Sequence, residues 1–521
     1  MKRFSLFFAI LVAVSFNFSA PVLRAQSNGQ KFIDKSNIKL NLEFLASDEL
    51  EGRETTTRGI HLAALYITTQ LQRNGVKPFF DDGSYYEPFK VDASTFNEDS
   101  KLVFTNGNNT SDFKFLNDFF VDSRNSSGEV NDALPVVFVG YGITAPEYKY
   151  DNYANIDVKG KYVIAMSGEP TSKDENYFDG EKETKYSSAR TKVEFAKEHG
   201  AAGFLGTLSP EYETRWEFIK RFFSHPSMSI MDDSNNDENN FVSVYIKSTA
   251  LKQILSGQKF SYDDLEAKAE NGEALPEFQI NGKLKSEIVK TPDIRTAKNI
   301  VGVIEGIDPV LKNEYVAVGA HYDHLGVQNG KVYNGADDDG SGTVTVMEVA
   351  KALAKAHNNK RSILIVFHTG EEKGLLGSSY LTDHLGLIKD KKVVGQVNID
   401  MVGRESADSI YSIGSDKLSS EMKKVVEEAN DETVKMVLNY KFDDPNDPNR
   451  FYYRSDHYNY AKHGIPIVFF FDDMRTDYHR DTDEVDKINF EKMKKMATLV
   501  YTVVDKIANL DHRLVVDKPV E

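Results

Sequence analysis

The strongest constraint on the fold is a succession of apolar, strand-like runs between about 297 and 510, each separated from the next by a helical or turn-rich stretch. The strand candidates are Asn299 to Ile304, Tyr315 to Ala320, Ser362 to His368, Val393 to Asp400 and Ile465 to Phe471. The helix candidates are Gly342 to His357, Lys417 to Asn430 and Asn489 to Leu510. Strands of this kind alternating with amphipathic helices predict an α/β fold, with a mixed, largely parallel central sheet and helices on both faces. Residues 38 to 76 add two amphipathic helices. Leu40, Leu42 and Leu45 form the apolar set of the first, Ala63, Ala64, Tyr66, Ile67 and Leu71 that of the second, and Gly75 closes it.

From about 125 to 285 the texture changes. Pro135 to Gly140 and Tyr162 to Met166 are strand-like, Gly200 to Gly206 is a further short apolar segment, and the loops are lysine-rich or acidic. This predicts a separate β-rich unit spanning 126–285, inserted between residues 26–125 and 286–521 of the main domain. Residues 1–25 stand apart. Lys2 and Arg3 precede the apolar run Phe4 to Val14, which is too short for a membrane span of about 20 residues and fits a secretory signal peptide cleaved after Ala25. No later segment is apolar enough to anchor the chain in a membrane. The expectation is an exported protein, periplasmic or extracellular.

Two compositional facts narrow the chemistry. The 521 residues include no cysteine, which excludes thiol nucleophiles, disulfide frameworks and iron–sulfur clusters, so any metal must be held by histidine and carboxylate. The formal net charge of -17 argues against nucleic acid as a partner. No sequence signal sets an oligomeric state.

The ends of the strands carry the chemistry. His321-Tyr322-Asp323-His324 follows the second strand, Glu371 and Glu372 lie just past the third, and Asp400 ends the fourth. Tyr478-His479 lies beyond the fifth, and Asp337-Asp338-Asp339 stands between the second and third. In open α/β sheets the carboxyl ends of the strands form the ligand crevice. Two imidazoles and three carboxylates, one of them shared, suffice for two divalent cations about 3.5–4 Å apart. Such a shell suits zinc and also accepts cobalt or manganese. Asp323, two residues past His321, is placed to orient that imidazole, and one of the adjacent glutamates is free to act as general base. The reaction implied is metal-assisted hydrolysis of an amide.

Two motifs mimic other sites. Asp337 to Glu348 matches a calcium-loop expression, but the chain enters through a hairpin-like segment instead of a helix. Gly140 to Ala145 mimics a dinucleotide fingerprint, but Pro146 and a loop follow where a helix is required.

The strings Gly319-Ala320-His321-Tyr322-Asp323-His324, Asn334-Gly335-Ala336-Asp337-Asp338-Asp339-Gly340, Thr369-Gly370-Glu371-Glu372-Lys373-Gly374, Asn398-Ile399-Asp400 and Tyr478-His479 together resemble the co-catalytic zinc aminopeptidase family. Its relatives include bacterial leucyl aminopeptidases, glutamate carboxypeptidase II, glutaminyl cyclases and transferrin receptors. Phe44 to Arg53 resembles the family's opening helix. The resemblance implies a zinc exopeptidase type of fold acting on peptide substrates with two zinc ions. Asp338 would bridge them, His321 and Asp400 would complete one site, and Glu372 and His479 the other. Glu371 would be the general base and Asp323 the orienting carboxylate. Ser455, Asp456 and His457 resemble a segment lining the substrate site, with Tyr452 or Tyr453 facing the oxyanion. Val136 to Tyr141, Asp157 to Lys161 and Ala201 to Phe204 resemble a protease-associated domain, which in relatives shapes substrate access.

An aminopeptidase is the first expectation. A carboxypeptidase or dipeptidase on the same scaffold needs a cation for the terminal carboxylate, for which Arg450, Arg454 and Arg475 are candidates. A receptor-like, non-catalytic relative would lack ligands or base, and this chain keeps them all.

Overall fold

The structure, a computed structural model, describes residues 29–122, 126, 132–180, 183–223, 228–231, 241–444, 447 and 449–520. The proposed leader, residues 1–25, lies outside them.

A ten-stranded sheet forms the main body. Its principal strands are β1 (Tyr86–Asp92), β2 (Ile294–Ile304), β3 (Tyr315–His321), β4 (Ser362–His368), β5 (Val393–Ile399), β6 (Ser409–Ile413), β7 (Val437–Asn439) and β8 (Ile467–Phe471). They lie in the order β1-β2-β4-β3-β5-β8-β6-β7. The four central strands β4, β3, β5 and β8 run parallel. β1 and β2 on one side, and β6 beside β8, run antiparallel. Every residue of β4 and β5 is buried, as strands covered on both faces require.

Alternation along the strands sends side chains into two cores. Val316, Val318 and Ala320 join the core beneath α1 (Lys35–Leu45), α2 (Arg58–Arg73), α3 (Gly342–Ala356), α5 (Ser420–Glu432) and α6 (Phe490–Asn509). Ala317, Leu364 and Val366 face the other core, with Leu381 of α4 (Leu376–His384). The inward stripe of α1 is Ile38, Leu42 and Leu45. Leu40 does not belong to it: it sits half a turn away and is 64% exposed.

The second unit is an eight-stranded sheet with its own cores. Leu134–Val139, Tyr162–Ala165, Gly203–Thr207 and Val242–Ile246 run parallel at its centre. It starts earlier than the sequence reading placed it. Lys101–Asn106, Asn109–Lys114 and Phe119–Val121, all before residue 126, are strands of this sheet, and Glu277–Glu287 pairs with the first of them. The chain enters and leaves the unit side by side, through Thr95–Phe96 paired with Lys290–Thr291. Among the described residues no helix is long and apolar enough to cross a membrane.

Neither mimicking motif forms the site it imitates. Gly140 and Gly142 have positive φ and lead into a short 3-10 turn, Pro146–Tyr148. Gly326–Gln328 and Lys331–Tyr333 form a hairpin ahead of Asp337, and Glu348 lies within α3, where it accepts hydrogen bonds from Asp34 N and Asn37 Nδ2.

Candidate metal centre

β3 ends on His321, β4 stops three residues before Glu371, and β5 runs straight into Asp400. These three strands are adjacent and parallel, so their ends share one rim. Asp338 arrives on the irregular turn Ala336–Ser341 that opens α3, and His479 on the loop after β8.

Asp338 divides its two oxygens between two clusters. Its Oδ1 is 3.4 Å from His321 Nε2, which is also 3.6 Å from Asp400 Oδ1 and 3.9 Å from Glu371 Oε2. Its Oδ2 is 3.2 Å from His479 Nε2, which is 3.0 Å from Glu372 Oε2. Donors bound to one zinc at about 2.0–2.2 Å lie no more than about 4.4 Å apart, and all these pairs meet that limit. His321 Nε2, His479 Nε2 and Glu372 Oε1 are buried and have no hydrogen-bond partner. An unpaired buried polar atom is costly, and several turned toward common points are the pattern of ligands around cations. The donor set, imidazole and carboxylate alone, fits divalent zinc.

The residues around this set hold it in place. Asp337 and Asp339, which chemistry alone could not separate from Asp338, are occupied elsewhere. Asp337 Oδ1 accepts from Gly403 N at 2.8 Å, and Asp339 Oδ1 accepts from Gly342 N at 2.8 Å and Met401 N at 3.1 Å. Asp483 accepts from the amides of Asp337 and Asp338 and from Arg404 Nη2 at 2.6 Å, fixing the turn that carries the shared carboxylate. Arg53, fully buried, donates to Leu45 O, Tyr322 O, Asn334 O and Gly335 O, tying the N-terminal segment to both ligand loops. Asn299 of β2 takes Thr369 N and donates to Gly377 O, bracing the loop of Glu371 and Glu372.

Asp323 stands behind His321, but the ring's Nδ1 is nearer its main-chain oxygen, at 3.2 Å, than its carboxylate, at 3.7 Å. The carboxylate accepts from Thr55 Oγ1 at 3.0 Å and from Glu371 N at 3.2 Å, so it links the imidazole to the loop of the expected base.

Beside the two clusters opens a cleft. Asp338, Glu371 and Asp400 line one wall, and Met401, Phe451, Phe469, Phe471 and Met474 give it an apolar floor. Ser455, Arg454 and Tyr478 also line it. Ser455 donates to Asp400 Oδ2 at 2.7 Å. The other substrate-site expectations lie off the cleft. Tyr452 is packed in the core with its ring near Gly414 and Lys417. Tyr453 sits under the Arg450 guanidinium, and His457 stacks on Phe469 and bonds to Tyr452 O. Asp456 is wholly buried behind the wall. Aromatic residues in a short segment are claimed first by packing, so their types did not reveal which of them faces the cleft. The apolar floor comes from three separate segments, which only the fold brings together.

The electrostatics follow from burial. Burial drives the Glu371 carboxyl well above the usual range, with Asp400 and Glu372 pushing the same way against His321. Glu372 goes the other way, to about 2, because His479 and His324 outweigh burial and the Asp338 charge. Burial works against a charged His479, yet Glu372 and Asp338 lift it to about 10. The carboxylates thus demand positive charge at this point.

One residue of the centre was not expected. His324, fully buried, has its Nδ1 2.8 Å from Glu372 Oε1 and 3.9 Å from Asp338 Oδ2. The available signal was a second histidine three residues past the first.

Residues 299–504 match the model of peptidase family M28. Aminopeptidase YwaD of Bacillus subtilis is 31% identical over 262 residues, covering 48% of this chain and 52% of that protein. A probable leucine aminopeptidase of Arthroderma benhamiae is 27% identical over 328 residues, covering 55% and 88%. The chain spans about half the length of YwaD, and 33% of a probable leucine aminopeptidase 2 of Aspergillus oryzae. Among solved structures, an aminopeptidase from Aneurinibacillus sp. strain AM-1 shares the fold, with a TM-score of 0.57 at 20% identity, over 94% of this chain and 98% of that one. Residues 299–504, which hold all the strand-end residues of the two clusters, are thus similar to peptidase family M28.

Proposed function

We propose that this chain is an exported, zinc-dependent aminopeptidase that removes N-terminal residues from peptides. The observation that carries the reading is Asp338, which offers one oxygen to each of two imidazole–carboxylate clusters at the wall of an apolar cleft. His321, Asp400 and Asp338 would hold one ion, and Glu372, His479 and Asp338 the other. When bound, the ions polarise the scissile carbonyl and lower the pKa of water. Glu371, on the cleft wall, takes the proton from the attacking water and passes it to the departing amine nitrogen. Asp323 holds the Glu371 amide, and Ser455 holds Asp400, so neither carboxylate has to reorganise during the step. The acidic wall suits a free α-amine, and the apolar floor suits an apolar side chain. The eight-stranded unit, read as a protease-associated domain, shapes access for longer peptides, and residues 1–25 direct export.

Arg454 favours a second reading. It lines the cleft, whereas Arg475 is paired with Glu405 at 2.7 Å and Arg450 lies over Tyr453. A cation there suits a terminal carboxylate, as a carboxypeptidase or dipeptidase needs. The test is hydrolysis of one peptide series, free, N-acetylated or C-amidated, before and after exhaustive chelation and with zinc restored. The expected pattern is loss on N-acetylation, tolerance of C-amidation, and loss on chelation with recovery on zinc. Loss on C-amidation alone selects the second reading, and turnover indifferent to metal removal rejects both.

A further inference from the structure

His324 is not among the five ligands that the family resemblance implies, yet the structure builds a place for it. The ring is wholly buried and packed against Gly335, whose φ of +55° suits glycine. A Cβ at Gly335 would fall 2.5 Å from His324 Cγ, so any other residue would displace the imidazole. The backbone is pinned as well, with His324 N donating to Arg53 O at 3.2 Å. Neither ring nitrogen has a hydrogen-bond partner, and neither has Glu372 Oε1, although Nδ1 and Oε1 are 2.8 Å apart. Two polar atoms at that separation without the alignment of a hydrogen bond are both aimed at a third body. Leaving buried polar atoms orphaned is costly, and a fold tolerates it where something else compensates.

We propose that His324 is a ligand of the ion held by Glu372, His479 and Asp338. The inference rests on the two-cation reading above. His324 Nδ1 lies 2.8 Å from Glu372 Oε1 and 3.9 Å from Asp338 Oδ2, and His479 Nε2 lies 3.0 Å and 3.2 Å from the second oxygen of Glu372 and from the same Asp338 oxygen. Each of these separations is within the reach of donors sharing one zinc. His324, Asp338 and Glu372 also form one of the two groups among the described residues whose ligand atoms lie within 4.8 Å of one another. The two sites are then unequal. One has a single imidazole, His321, and the other has two. Because imidazole is a better zinc donor than carboxylate, the site with two imidazoles keeps its ion longer when metal is scarce.

The experiment is equilibrium dialysis of the purified full chain, loaded with cobalt(II), against graded chelator, with metal per chain and visible cobalt absorption read at each step. Wild type is expected to release its ions in two separate steps. In His324→Ala and His324→Asn the more tightly held ion should leave at chelator concentrations at least about tenfold lower, and the cobalt bands of that equivalent should change. The asparagine variant keeps polarity and most of the volume, so it carries the test if the alanine variant fails to fold. Wild-type affinity and spectrum in a folded variant would overturn the proposal. So would weaker binding with an unchanged spectrum, which would make His324 a positioning residue for Glu372. A wild-type chain that binds no cobalt at all would fail at the metallopeptidase reading itself, and the ligand role would fall with it.

Discussion

In the eight-stranded unit the unpaired buried side-chain atoms among the described residues are two hydroxyls, Tyr153 Oη and Ser243 Oγ, and the other buried polar groups find partners. Lys192 Nζ donates to Met166 O at 2.8 Å and to Gly168 O, the Tyr162 hydroxyl meets Ser286 Oγ at 2.7 Å, and Glu169 accepts from the Thr184 hydroxyl at 2.6 Å. In the ten-stranded sheet the strands are as apolar, but their carboxyl ends present His321, His324, Glu372 and His479 with buried atoms left unpaired. No described residue between 101 and 287 lines the cleft. Unpaired buried atoms lower stability, and a protein retains them where ligands or chemistry supply the missing partner. The second unit uses nearly all of its described buried polar groups on structure, whereas the main sheet leaves a concentrated set of donors open at the site.

The largest effect should come from the main sheet. Glu371→Gln removes the proton acceptor but leaves the other carboxylates and imidazoles, so kcat should fall about 10²–10⁴-fold with metal content unchanged. Metal analysis beside single-turnover kinetics checks both parts. A folded, metal-loaded variant at full rate would remove Glu371 from the role of base, and with it the claim that this rim is reserved for chemistry.

Much of that rim was legible because it combines two independent patterns. An apolar run long enough to be a buried strand ends on a charge, and the same coincidence recurs at β3, β4 and β5. Their boundaries, Tyr315–His321, Ser362–His368 and Val393–Ile399, differ by at most one residue from those expected. What failed were readings that needed partners distant in sequence. Lys101–Asn106 and Asn109–Lys114 carry polar residues at alternate positions and look like loop until Glu277–Glu287 arrives to pair with the first, so the second unit begins some 25 residues before the boundary its composition suggests. At His324 the sequence offers only a second histidine three residues past His321, and only the fold shows Glu372 opposite it. Leu40 misled because three leucines within one helix do not by themselves define a face.

A smaller effect sharpens the boundary of the site. Glu87 of β1, buried beside Asn299, is pushed up to about 7 by burial, with the Asn299 hydrogen bond pulling against it. The folded chain therefore holds a proton that the unfolded chain releases near pH 4.5. Between those pH values the folded state binds more protons, so stability falls as pH rises, by on the order of 3 kcal/mol, and levels off above about 7. Urea unfolding of the metal-loaded protein at pH 5 and pH 8 measures the slope, and Glu87→Gln should flatten it. An unchanged slope would mean that Asn299 meets a carboxylate already ionised, and that the brace behind Glu371 is itself charged.

The smallest effect on chemistry belongs to the second unit. Lys192 is wholly buried, and burial brings its ammonium down to about 7 against the pull of Glu169 and Glu183. Its value is to satisfy two main-chain carbonyls. Lys192→Met should keep most of the packing but orphan those oxygens, costing about 1–3 kcal/mol for each and lowering the unfolding midpoint of the unit. Turnover of a dipeptide should stay within about twofold of wild type, because the groups beside the Lys192 ammonium, Met166 and Tyr141, belong to a core that does not reach the cleft. If dipeptide kcat instead falls tenfold while the metal stays bound, the second sheet contributes to the transition state, and the division between a structural half and a chemical half is wrong. If only long peptides slow down, the division holds and the unit acts at the entrance, where the substrate's trailing residues must pass.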